Sequence, residues 1–94
     1  MSGKNVRKKV LVYGYVQGVG FRYFARMNAQ RFGVTGYVEN LYDGSVLLEA
    51  EGKDYVVEAF LEAIGKGNQY IDVERMEVKD IPLREDRSFQ VKYY

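Results

Sequence analysis

The spacing of apolar residues changes within the first third of the chain. Residues 6–15 alternate in character, with Val10 and Val12 on one side of an extended segment, and this alternation predicts a strand. After a glycine-rich stretch the apolar residues take a helical spacing, at Phe21, Ala25, Ala29 and Phe32. Gly33 is placed to end this helix in the left-handed conformation. The chain therefore begins with a strand followed by a helix.

The remaining residues predict three further strands, a second helix and one short terminal strand. Segments 35–41 and 46–51 have strand character, and the turn 42–45 between them carries the Asp-Gly pair typical of a hairpin. A second amphipathic helix, closed by Gly65 and Gly67, is indicated by the apolar positions Val57, Phe60, Leu61 and Ile64. Segment 71–81 alternates as a strand until Pro82 stops it, and residues 89–93 form a short last strand.

The order strand, helix, strand, strand, helix, strand predicts an α+β protein of the ferredoxin-like type. In this βαββαβ sandwich, two helices cover one face of an antiparallel sheet, and here a short extra strand follows at the C-terminus. At 94 residues we expect one domain, 1–94. Because each helix crosses the sheet, the first strand lies inside it. The loop after that strand then opens at the end of the sheet, beside a helix N-terminus.

The composition excludes several kinds of chemistry. The chain has no cysteine and no histidine. Disulfides, thiolate metal sites and a cysteine nucleophile are therefore impossible, and the commonest general base is missing as well. Any catalysis must work without these groups.

Charge and hydropathy favour a soluble protein. The net charge of +1 gives no general attraction to nucleic acid or to membranes. A basic cluster at the N-terminus (Lys4, Arg7, Lys8 and Lys9) is interpreted as a solvated strand start. The apolar run 10–13 is too short for a signal peptide or a membrane span. We expect a cytoplasmic monomer with no nucleic-acid or membrane partner.

The loop between the first strand and the first helix, 14–22 with the sequence GYVQGVGFR, is a candidate anion site. A helix N-terminus carries unpaired N–H groups and a partial positive charge. Glycines let successive N–H groups of a loop turn inward, and Arg22 can hold two oxygens of a tetrahedral anion. The glycines alone also fit a plain tight turn. The loop matches neither a Walker motif nor a dinucleotide fingerprint.

Asn40, at the end of the second predicted strand, is a second candidate. Asparagine at a strand end is often only a turn residue. Its carboxamide can also accept a hydrogen bond from water while donating one to an anionic oxygen.

Together, GYVQGVGFR and the segment 36–52, GYVENLYDGSVLLEAEG, closely resemble the acylphosphatase family, with a likeness that extends over the whole chain. Related domains occur within larger carbamoyl-transferring proteins, but we expect a small stand-alone protein. The resemblance implies hydrolysis of a carboxyl–phosphate anhydride without metal or cofactor. It also implies that Arg22 binds the phosphate and Asn40 orients the water. The implied phosphate-binding residues are Gln17, Gly18, Val19, Gly20, Phe21 and Arg22.

One residue departs from the family pattern. Glu39 stands before the asparagine, where the family more often has a basic or neutral residue. Strand alternation points Glu39 away from Asn40. We therefore expect activity to survive, with a weaker attraction for anionic substrates.

The substrate predicted by the resemblance is a small acyl phosphate, with phosphate or sulfate as a ligand of the same site. The leaving carboxylate is a weak base and needs no general acid. Catalysis therefore depends on positioning the reactants and stabilising the charge of the transition state. Two alternatives come from other functional classes. An RNA-recognition domain has this fold, but residues 45–51 lack its stacking aromatics. A regulatory small-molecule domain or an inactive relative would not need the pair of Arg22 and Asn40.

Overall fold

The computed structural model describes residues 3–93 and confirms the predicted element order. The elements are β1 (Asn5–Tyr15), α1 (Phe21–Phe32), β2 (Thr35–Asn40), β3 (Val46–Lys53), α2 (Asp54–Lys66), β4 (Asp72–Ile81) and β5 (Phe89–Lys92). Several bounds differ by one or two residues from the sequence prediction. Strand β1 begins one residue earlier, β2 and β5 end one residue earlier, and β3 ends two residues later. Helix α2 continues through Gly65 to its C-cap Gly67, and β4 begins one residue later than expected.

The strands form one sheet in the order β4-β1-β3-β2-β5, with β1 inside it as predicted. The strands of the βαββαβ unit pair antiparallel. The prediction of an antiparallel sheet needs correction only at β5, which pairs parallel to β2. The cause is the connection 82–88, which carries the chain from the β4 edge to the opposite edge. The chain therefore enters β5 in the direction of β2.

One hydrophobic core lies between the sheet and the two helices. Val10 and Val12 of β1 are fully buried, as the alternation predicted, and so are the helical positions Ala25 and Ala29. The ring of Phe60 in α2 packs edge-on against two other phenyl rings, Phe32 and Phe89. These contacts join both helices to β5. They fix the short last strand in the same core as the longer elements.

The prediction of a solvated basic cluster at the start of β1 is wrong for Arg7, which is only 1% exposed. Its Nε lies 2.7 Å from the Glu49 carboxylate, and its Nη1 and Nη2 lie 2.9 Å from Glu51 and 3.0 Å from Asp86. The ion pairs form on the sheet face opposite the helices, beneath the connection 82–88. They hold that connection on the sheet ahead of β5.

Glu51 contributes further to this connection, because its carboxylate also accepts hydrogen bonds from the main-chain N–H groups of Arg84 and Glu85. Burial acts to raise the pKa of Glu51. The hydrogen bonds from Arg84, Arg7 and Glu85 outweigh that effect and lower the pKa below its ordinary value. Glu51 is therefore held in its charged form.

Several chain segments meet at one end of the sheet. The pairings place the ends of β1, β2 and β5 beside the starts of β3 and β4, and α1 begins there. None of the helices in residues 3–93 is long and apolar enough to cross a membrane. The same residues contain no group of three or more His, Cys, Asp or Glu side chains placed to hold a metal ion.

Candidate active site

The loop between β1 and α1 depends on glycine for its backbone angles. Gly18 and Gly20 have φ values of 76° and 82°, in the left-handed region that other residues rarely adopt. A Cβ at either position would meet no atom within 4 Å, so the requirement comes from conformation and not from space. Gly20 is also the N-cap of α1, and no side chain caps this helix. The N–H groups of its first turn are therefore open to an anion.

Arg22 lies in that first turn and is half-buried. Its Nη1 donates a hydrogen bond to the main-chain carbonyl of Lys92, at 3.0 Å. Its Cζ lies 4.8 Å from the centre of the Tyr93 ring. Among residues 3–93, no carboxylate forms an ion pair with Arg22. The guanidinium is thus held in place while its charge stays available to a ligand.

Asn40 is the last residue of β2 and shares a side of the strand with buried Val38, facing the helices. In the part of the chain that the structure describes, its carboxamide has no hydrogen-bond partner. The preceding residue, Glu39, lies on the opposite face of the sheet, and its backbone stands in register with Lys92 of β5. This geometry agrees with the expectation that Glu39 points away from Asn40.

Arg22 and Asn40 line one small cavity of about 200 Å³. The other lining residues are Val16, Gly18, Gly20, Phe21, Tyr23 and Tyr93. Of the residues predicted from the sequence, the cavity brings together Gly18, Gly20, Phe21, Arg22 and Asn40, and it leaves out Gln17 and Val19. The sequence did not indicate the two tyrosines. Tyr93 reaches the site through the pairing of β5 with β2, a non-local contact that leaves no local pattern.

The side chain of Gln17 does not line the cavity but stabilises the turn that follows β2. Its side-chain Nε2 donates to the carbonyls of Leu41 and Ser45, at 2.8 Å and 2.7 Å. The side-chain amide is therefore engaged with the turn between β2 and β3. Only the main-chain N–H of Gln17 could contact an anion. The hydrogen bonds join the glycine loop to the turn that directly follows Asn40.

Hydrogen bonds within the same turn also stabilise it. The main-chain N–H and the hydroxyl of Ser45 both donate to the Asp43 carboxylate, at 3.0 Å and 2.5 Å. The hydrogen bonds from Ser45 lower the pKa of Asp43 below its ordinary value. The turn is thus a fixed support against which Gln17 positions the loop.

We expect Gln17→Ala to lower the free energy of unfolding by about 1–3 kcal/mol, because two side-chain hydrogen bonds, each worth about 0.5–1.5 kcal/mol, are lost. Urea denaturation measures this change. Gln30→Ala is the matched control, since Gln30 is an exposed residue of α1. Equal stability of the two variants would contradict the bracing role of Gln17.

Comparison with known proteins gives one consistent result. The family model described as Acylphosphatase matches residues 8–91. An acylphosphatase from Oceanobacillus iheyensis is 49% identical over 89 residues, covering 90% of this chain and 96% of that protein. An acylphosphatase from Bifidobacterium longum is 44% identical over 93 residues, covering 97% of this chain and 96% of that protein. Both matches therefore extend over nearly the full length of each chain.

The fold agrees with this result. The crystal structure of acylphosphatase from Bacillus subtilis superposes with a TM-score of 0.90 and 35% sequence identity, covering 94% of this chain and 99% of that one. The family resemblance and the ferredoxin-like fold predicted from the sequence are thus confirmed. They support an enzyme that hydrolyses acyl phosphates. On the sequence match and the shared fold together, this chain belongs to the acylphosphatase family.

Proposed function

We propose that the chain hydrolyses acyl phosphates to a carboxylate and inorganic phosphate by direct attack of water on phosphorus. The observation that carries this proposal is that Arg22 and Asn40 line the same cavity at the N-terminus of α1. This reaction requires a cationic group that binds the phosphoryl oxygens and a neutral amide that orients the water. The fold brings them together from segments 18 residues apart in the sequence.

Arg22 and the glycine loop bind the phosphoryl group. The Lys92 carbonyl occupies one hydrogen of Nη1, so the remaining guanidinium hydrogens are available to two phosphoryl oxygens. The main-chain N–H groups of residues 18–22 supply further donors at the positive end of the helix dipole. Each charge-assisted hydrogen bond contributes about 1.5–3 kcal/mol. Several of them together hold a dianion in water.

Asn40 orients the attacking water. Its carboxamide oxygen accepts a hydrogen bond from that water, while its N–H group donates to a phosphoryl oxygen. The bond from water oxygen to phosphorus forms as the bond from phosphorus to the acyl oxygen breaks, with the electron pair leaving on the carboxylate. A phosphoryl oxygen takes the proton of the water. Since the carboxylate is a weak base, no side chain has to protonate it.

The open face of the sheet argues against the RNA-binding alternative. On β3 this face presents Leu47, Glu49 and Glu51, and both glutamates are hydrogen-bonded to Arg7. RNA-recognition domains need stacking aromatic residues at this place. Phosphate or sulfate binding, the absence of any cofactor, the single domain, the monomeric state and the cytoplasmic location stay predictions.

The test is phosphate release from acetyl phosphate and benzoyl phosphate with excess EDTA present. The proposal expects turnover to be unchanged by the chelator, because every group it uses belongs to the chain or to the substrate. Rapid quenching during turnover provides a second readout, since direct water attack leaves no phosphoryl group on the protein. Loss of activity with EDTA, or a phosphorylated protein, would overturn this mechanism.

A further inference from the structure

Arg22 contacts two consecutive residues at the end of β5. Its Nη1 donates to the main-chain carbonyl of Lys92, and its Cζ lies 4.8 Å from the centre of the Tyr93 ring. The orientation of the guanidinium in the cavity therefore depends on the path of the chain at the end of β5. A shift of this segment would move the guanidinium away from the phosphoryl group that Arg22 is proposed to bind.

The two ends of β5 are held by different contacts. At the start of the strand, the ring of Phe89 packs against Phe60 in the core. The strand has four residues and lies at the edge of the sheet, and its register with β2 ends at Lys92. Strand ends open more readily than strand centres. The carbonyl that accepts from Arg22 thus lies where main-chain pairing alone holds β5 least firmly.

A side-chain contact holds this end of β5 on the open face of the sheet, opposite the helices. The Nζ of Lys92 lies 3.9 Å from the centre of the Tyr37 ring, in a cation–π contact. Both residues are half-buried, and partial removal from water strengthens such a contact. Since Tyr37 belongs to β2, side chains as well as main-chain pairing attach the end of β5 to its neighbouring strand.

The Tyr37 ring is fixed in turn by the buried ion pairs of Arg7. Its hydroxyl donates to one oxygen of the Glu49 carboxylate at 2.8 Å, and the other oxygen accepts from Arg7 Nε at 2.7 Å. Burial and the hydrogen bond to Glu49 raise the pKa of Tyr37 to about 12, so the hydroxyl stays a donor at neutral pH. The ring therefore connects a rigid part of the sheet to the end of β5.

We propose that Tyr37 is a positioning residue of the active site. Through its contact with Lys92 it fixes the end of β5, which holds Arg22 in the orientation that binds the phosphoryl group. Tyr37 does not line the cavity, so it acts only through Lys92. This inference rests on the proposed function, to which it adds a residue on the far face of the sheet.

The experiment measures kcat/KM for benzoyl phosphate and the inhibition constant of inorganic phosphate, in variants whose folding is checked by circular dichroism. In Tyr37→Leu we expect kcat/KM to fall and the inhibition constant to rise, each about 3- to 10-fold, the scale of one partly desolvated cation–π contact. Lys92→Met keeps the main-chain carbonyl and should show the same changes. Because both substitutions remove one shared contact, the double variant should be no worse than either single variant.

Tyr37→Phe separates positioning from a general structural role. It keeps the ring beneath Lys92 but loses the hydrogen bond to Glu49, so we expect lower stability in urea with most of the activity retained. Tyr13→Leu is the matched control, because Arg75 Cζ lies 4.0 Å from the centre of the Tyr13 ring, in a comparable contact between β1 and β4. Its kcat/KM and inhibition constant should stay within about 2-fold of the unaltered protein.

Four results would overturn the positioning role. Unchanged kinetics in Tyr37→Leu would show that the contact does not affect Arg22. An equal loss in Tyr37→Phe would assign the effect to the hydrogen bond with Glu49, and an equal loss in Tyr13→Leu would assign it to the open face in general. Additive losses in the double variant would show that Tyr37 and Lys92 act separately. Failure of the proposed function would look different, because the unaltered protein would then not hydrolyse benzoyl phosphate.

Discussion

Arg22→Ala is expected to lower kcat/KM for acyl phosphates by about 10³-fold or more, the scale on which a phosphoryl-binding arginine acts in related chemistry. The side chain supplies the only positive charge among the residues that line the cavity in the described part of the chain. Its loss leaves only neutral donors, the main-chain N–H groups and the Asn40 carboxamide, against a dianion. Inhibition by inorganic phosphate should weaken in parallel, because the product carries the same charge. Steady-state kinetics with phosphate as inhibitor measures both effects.

Arg22→Lys should recover little of this loss, because an ammonium group cannot hold two oxygens in the planar geometry of a guanidinium. It would also lose the hydrogen bond from Nη1 to Lys92 that positions the group. Arg26→Ala is the matched control, since Arg26 lies one turn further along α1 and is exposed. Full activity of Arg22→Ala, or equal losses at both arginines, would rule out the proposed role.

Asn40→Ala is expected to lower kcat by roughly 10²-fold or more while KM changes little, as expected for a contact made in the transition state. The phosphoryl group is held by Arg22 and the loop, so removal of the carboxamide leaves binding almost intact. The water then has no fixed orientation. Steady-state kinetics on benzoyl phosphate separates kcat from KM.

Glu39→Gln is the control for Asn40→Ala, because Glu39 is adjacent in sequence but lies on the other face of the sheet. We expect its kcat to stay within about 2-fold of the unaltered protein, in line with the small effects of most surface substitutions. If Asn40→Ala raised KM alone, the carboxamide would bind substrate and would not orient water.

Local patterns in the sequence were sufficient to predict most of the fold. The alternation around Val10 and Val12 and the helical spacing of Phe21, Ala25 and Ala29 reflect burial against a single core, and all five residues are buried. The left-handed conformations of Gly18 and Gly20 could likewise be expected from their place between a strand and a helix. Such features depend on neighbours within a few residues, so the sequence displays them directly.

The features that the sequence did not predict depend on contacts between distant segments. Arg7 looks like one more surface cation, because two of its partners, Glu49 and Glu51, are 42 and 44 residues away. Tyr93 enters the cavity only because β5 pairs with β2. Gln17 belongs to the family motif, yet its side chain supports the turn after Asn40. The motif indicates that the residue matters without showing what it contacts.

A crystal structure of the protein grown in phosphate tests the proposed phosphate site most directly. We expect one phosphate ion in the cavity beside α1. It should lie within hydrogen-bond distance of the Arg22 guanidinium and of main-chain N–H groups in residues 18–22, with the Asn40 carboxamide next to it. A phosphate bound elsewhere while this cavity stays empty, or one that contacts neither Arg22 nor the loop, would contradict the roles proposed for Arg22 and the glycine loop.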